Sequence, residues 1–70
     1  MNQFYEIRVR GHLDNRWAAL FDGLALAHHE NGETVLSGYL ADQAALYGVL
    51  ARIRDLNIVL LSVQRMERKA

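Results

Sequence analysis

Four short segments of two-residue period alternate with two segments of helical period, in the order strand–helix–strand–strand–helix–strand. Asn31-Gly32 divides the central pair of strands, and an aspartate stands ahead of each helical segment. These observations predict an α+β fold, the ferredoxin-like βαββαβ sandwich. A strand–helix–strand crossover is right-handed in nearly every case, and two interleaved crossovers give a four-stranded antiparallel sheet of order 4-1-3-2. Both helices then lie on one face of the sheet and leave the other open.

The first strand is expected at Phe4–Arg10, where Tyr5, Ile7 and Val9 share one face and Phe4, Glu6, Arg8 and Arg10 the other. Gly11 releases the chain into a turn. Asp14 is positioned to cap a helix over Asn15–Asp22, with Trp17, Leu20 and Phe21 as its apolar stripe. That helix is short and needs packing to persist.

A hairpin follows. A two-residue Asn31-Gly32 turn would set Leu26 opposite Ser37 and turn Leu36 outward. A three-residue loop, Glu30-Asn31-Gly32, instead pairs Leu26 with Leu36 and Leu24 with Gly38, which gathers Leu24, Leu26, Leu36 and Leu40 on the core side. The second register is the expectation. Asp42 then caps a helix over Gln43–Leu56, whose stripe is Leu46, Val49, Leu50, Ile53 and Leu56, and Asn57 takes the left-handed position that ends it. The last strand spans Leu60–Glu67, with Leu61 and Val63 inward.

The chain has 70 residues, which make a single domain over residues 1–70 at the small end of what folds unaided. Apolar residues reach 51% of the chain, and domains of this size commonly gain stability from a second copy. The expected partner is therefore the chain itself, as a homo-oligomer and most simply a dimer. The absence of cysteine excludes disulfides, thiolate metal sites and cysteine nucleophiles. Eight basic residues balance eight acidic ones, without the positive excess that neutralises phosphates, so no nucleic-acid partner is expected. The runs Leu24–Ala27 and Ile58–Leu61 fall far short of the roughly 20 residues that cross a bilayer. Met1–Phe4 lacks the start of a signal peptide, and the expected location is cytoplasmic.

The open sheet face mixes arginine and carboxylate with aromatic, methionine and aliphatic side chains, a composition closer to a protein interface than to a solvated surface. Phe4, Arg8, Val35, Tyr39, Leu60 and Met66 are its expected contact residues.

Candidate chemical sites are sparse. His12, His28 and His29 suggest a metal, but consecutive strand residues point to opposite faces, and His12 is expected at the far end of the sheet from the Asn31-Gly32 turn. No metal and no cofactor are expected. The loop Gly11, His12, Asn15 and Arg16 leads to a helix N-terminus where a small effector could bind, although Asp14 at the cap opposes an anion. No histidine–acid pair is spaced to activate Ser37, Ser62 or Tyr5, so no catalytic residue is assigned.

Three families with this strand order are weighed by their motifs. Arg10-Gly11 resembles the start of the acylphosphatase phosphate loop, but His12-Leu13-Asp14-Asn15 replaces the rest of that cradle. Phe4 and Tyr39 lie on the face that RNA-recognition domains use for stacking, yet Glu33–Leu40 lacks their basic, aromatic-rich segment. The Cys-x-x-Cys loop of metal chaperones is missing.

The stretch Tyr5-Glu6-Ile7-Arg8-Val9-Arg10-Gly11-His12-Leu13, with Trp17 and Phe21-Asp22-Gly23-Leu24, resembles a family of short bacterial proteins without assigned function. Asp42-Gln43-Ala44-Ala45-Leu46-Tyr47-Gly48-Val49-Leu50, Arg54-Asp55-Leu56 and Leu61-Ser62-Val63 extend the resemblance over nearly the whole chain. It implies a stand-alone ferredoxin-like protein and supplies no activity to transfer. A looser similarity of architecture is to ACT-type regulatory domains, which bind small ligands between paired copies. The expected function is thus a non-enzymatic, homo-oligomeric interaction or regulatory module. The alternative is an ACT-like sensor of a small molecule at a subunit boundary near Gly11, His12 and Asn15.

Overall fold

Alternation in the first strand survives folding intact: in β1 (Gln3–Arg10), Tyr5, Ile7 and Val9 are buried, and the residues between them are not. The computed structural model describes residues 3–21 and 23–67 of the chain. β1 is followed by a 3-10 segment, η1 (Asn15–Phe21), then β2 (Ala25–His29), β3 (Glu33–Leu40), α1 (Gln43–Asp55) and β4 (Leu60–Met66). Across the sheet the order is β2-β3-β1-β4, with every neighbouring pair antiparallel. Counted from the opposite edge, that order is 4-1-3-2. The protein is a small α+β domain with an open four-stranded sheet and one main helix.

The core lies on one side of the sheet. Tyr5, Ile7, Val9, Leu24, Leu36 and Leu40 meet Leu13 and Phe21 from the β1–β2 connection and Leu46, Val49 and Ile53 from α1. Trp17, Leu26, Leu50 and Ile58 close its margin.

The first helix departs from expectation. Asp14 caps it as expected, its Oδ1 accepting the Arg16 N–H at 2.8 Å, but the next backbone bond runs from Trp17 N–H to the Asp14 carbonyl at 3.0 Å. That three-residue step sets a 3-10 helix of seven residues. A segment this short gains too few bonds to offset α-helix nucleation, so its conformation follows the packing of Phe21. Leu20, expected in the apolar stripe, stays 40% exposed. The side chain of Asn15 and the whole of Asp22 lie outside the described residues, as do Arg68, Lys69 and Ala70.

The hairpin takes the three-residue register. Leu26 pairs with Leu36 and His29 with Glu33, and Gly32 supplies the positive φ of 83° that the loop requires. In α1, the Asp42 carboxylate accepts the Ala45 N–H at 2.8 Å. The helix ends in a Schellman arrangement: Asn57 at φ 60° donates to the Arg54 carbonyl, and Ile58 donates to the Ile53 carbonyl, both at 3.0 Å. Leu56 ends 39% exposed rather than in the stripe.

β4 differs from its expected pattern in two ways. Val63 pairs with Ile7 on the core side yet is 37% exposed, because β4 is an edge strand with a neighbour on one side only. A register shift between Arg8 and Val9 sets Leu60 opposite Val9 and leaves Leu61 as the extra residue of a bulge.

Candidate functional site

Pairing registers turn the uncovered face of the sheet into four cross-strand rows. Met66, Phe4 and Tyr39 form the first, and Gln64, Glu6, Ser37 and Ala25 the second. Ser62, Arg8, Val35 and Ala27 form the third, followed by Arg10, Glu33 and His29. The apolar character is concentrated in the first row. Phe4 and Tyr39 meet edge to face, ring centroids 5.1 Å apart, while Tyr39 is 55% and Met66 37% exposed.

The expected contact residues therefore divide. Phe4, Tyr39 and Met66 come together. Arg8 lies two rows away, and its guanidinium holds the Glu33 carboxylate at 3.0 Å. Val35 lies on this face but is buried to 7% exposure, so it offers little to a partner. Leu60 leaves this face, since the bulge carries it to the Val9 side, where it stays exposed. A one-residue slip reverses the facing of every residue beyond it, which simple alternation from Leu61 and Val63 could not register.

The β1–η1 loop is also placed differently from expectation. His12 lies at the same end of the sheet as the Asn31-Gly32 turn, with Gly11 N–H donating to the Gly32 carbonyl at 2.6 Å. The cause is the antiparallel pairing of β1 with β3: Arg10, the end of β1, stands beside Glu33, the start of β3. His12 Nε2 reaches the His29 carbonyl at 3.2 Å, and His28 Nε2 bonds the Leu13 carbonyl. The His12 and His28 rings stack with centroids 5.2 Å apart.

Thr34 is the residue that sequence reasoning passed over. Fully buried, it donates its hydroxyl to the Gly11 carbonyl at 2.6 Å and accepts the Leu13 N–H at 3.1 Å. Its signal was available: a polar side chain at an inward position of β3, in register with Val9.

The expected effector loop is consequently tied to its own protein. Gly11 bonds Gly32, His12 bonds His29, and Arg16 closes on Asp14 through backbone N–H and guanidinium. The Arg16 side chain, and then its backbone N–H, hold the Asp14 carboxyl below the ordinary aspartate range. Among the described residues, no group of three or more His, Cys, Asp or Glu side chains is placed to hold a metal ion. A shallow, mainly apolar groove of about 200 Å³ runs between η1 and the end of α1, lined by Leu20, Arg52, Asp55 and Leu56. No described helix is long and apolar enough to cross a membrane.

Comparison with curated proteins and with solved structures gave no match. A family model described as a domain of unknown function (DUF8691) matches residues 4–64, and the chain belongs to that family.

Proposed function

We propose that this protein is a non-enzymatic, cytoplasmic interaction module that works as a homo-oligomer, most simply a dimer. Its fold is read as a ferredoxin-like sandwich whose first helix has contracted to a 3-10 turn. The observation that carries this function is the uncovered sheet: η1 and α1 pack on one side, and the other side presents Tyr39 and Met66 on either flank of Phe4. Aromatic and methionine side chains in one row form an adaptable apolar strip of the kind enriched at protein interfaces. An effector site at Gly11, His12 and Arg16 gains no support, since the polar groups described there bond within the chain.

Sedimentation or light scattering at tens of micromolar tests the proposal. The expected mass is twice the 8.0 kDa of one chain, and a mass of one chain throughout would overturn it.

A further inference from the structure

We infer that β4 is the edge through which two copies join, their β4 strands running antiparallel about a two-fold axis at Val63, so that two four-stranded sheets become one continuous sheet. This rests on the homo-oligomeric function proposed above and places the contact between copies at the sheet edge that adjoins the open face.

The two edges of the sheet are built differently. β2 has five residues, Ala-Leu-Ala-His-His; η1 packs against it, and His28 is bonded to Leu13. β4 has seven, and Leu60, Leu61, Val63 and Met66 are apolar. Only Leu61 is half-buried and the other six are exposed. An edge strand directs the N–H and C=O groups of alternate residues away from its neighbour, ready to pair with another strand. Proteins blunt such edges with proline, charge or bulges. This chain has no proline, β4 carries one charge, Arg65, and its bulge sits at the Leu60 end, leaving the rest of the strand regular.

Val63 identifies the occupant. It stands opposite fully buried Ile7 but is 37% exposed, so the apolar layer stops abruptly at this edge. A second β4 laid antiparallel continues that layer. Centring the pair on Val63, the apolar core-side residue beyond the bulge, overlaps Leu61–Arg65 with its copy. Val63 then meets its own copy, Ser62 meets Gln64 and Leu61 meets Arg65, while Leu60, turned by the bulge to the Val9 side, lies beyond the paired stretch. The centre is a β-branched pair, Ser62 and Gln64 can hydrogen bond, and the Arg65 stem lies along Leu61. No like charges stand opposite one another. The chain as a whole carries eight basic and eight acidic residues, so two copies approach without net repulsion. A second copy is thus the partner whose charge and apolar pattern fit this edge.

The chain contains no cysteine, which makes single introduced thiols clean reporters. Residues opposite one another in an antiparallel pair lie about 4.5–5.5 Å apart, within reach of a disulfide. Under mild oxidation, Val63→Cys should give a covalent dimer, whereas Leu61→Cys and Tyr39→Cys should remain single chains on a non-reducing gel. Val63→Arg, at an exposed site, should halve the mass in solution. Should Val63→Arg fail to fold by circular dichroism, the cysteine series decides by itself. A wild-type dimer with Val63→Cys uncrosslinked and Val63→Arg still dimeric would overturn the β4 edge while sparing the oligomeric function. Crosslinking of Leu61→Cys in place of Val63→Cys would overturn the axis at Val63. A wild-type monomer would overturn both.

Discussion

The Thr34 hydroxyl lies 2.6 Å from the Gly11 carbonyl, inside the protein, and fastens the exit of the first strand to the start of the third. Because the same hydroxyl accepts the Leu13 N–H at 3.1 Å, one side chain satisfies two backbone groups of the β1–η1 loop. The His12 and His28 bonds hold the rim of that connection.

Thr34→Val keeps the shape and removes both bonds. Each buried polar group left without a partner costs about 1–3 kcal/mol, so the expected loss for the two is about 2–6 kcal/mol. Thr34→Ser keeps the hydroxyl and should cost about 1 kcal/mol for the lost methyl. Urea unfolding midpoints of the two variants separate hydrogen bonding from packing, and equal losses would refute the role given to the hydroxyl.

Gly38 makes room for Leu24. A Cβ at Gly38 would lie 2.9 Å from Leu24 Cδ2, and the backbone there has a φ of 155°. Gly38→Ala should destabilise the protein by about 1–3 kcal/mol through overpacking and backbone strain. Leu24→Ala, alone, should cost about 2–5 kcal/mol because Leu24 is 2% exposed. The double variant should lose clearly less than the sum, since removing the leucine relieves the clash. Strict additivity in chemical denaturation would show that the two residues do not share this space.

Asp14 supplies the acid dependence. Arg16 lowers its carboxyl in the folded chain, by side-chain and then backbone hydrogen bonding, with a smaller contribution from the charge of His28. A folded value below the unfolded one means that this interaction stabilises fully above the ordinary aspartate range and fades as pH falls through the lowered value. Arg16→Ala should move the Asp14 titration, followed by carboxyl-carbon NMR, back toward the ordinary range. The effect on stability should be small, because the Arg16–Asp14 pair is solvent-exposed.

Legibility in the sequence followed the range of the forces involved. Alternation in Phe4–Arg10, the Asp14 and Asp42 caps, the left-handed Asn57 and the three-residue hairpin loop are local choices, decided by a few adjacent residues and by parity. The first helix departs from its sequence pattern because a seven-residue segment takes its geometry from the core around Phe21 rather than from its own propensity. At the contact surface, Phe4, Tyr39 and Met66 were legible through strand parity. Val35 was not, since its burial depends on neighbouring strands, and Leu60 was not, since the bulge reversed its facing.

The sequence by itself determined the element order, the apolar side of the first three strands and the neutral, cysteine-free character that narrows the chemistry. Only the tertiary structure decided the contacts made where the end of β1 meets the start of β3, which bring His12 beside His28 and place Thr34 between Gly11 and Leu13. It alone also left β4 at the edge of the sheet with most of its side chains exposed. The physical reason is that periodicity fixes which way a side chain points. What that side chain meets depends on contacts between residues some 15 to 25 positions apart, and these exist only once the sheet has closed.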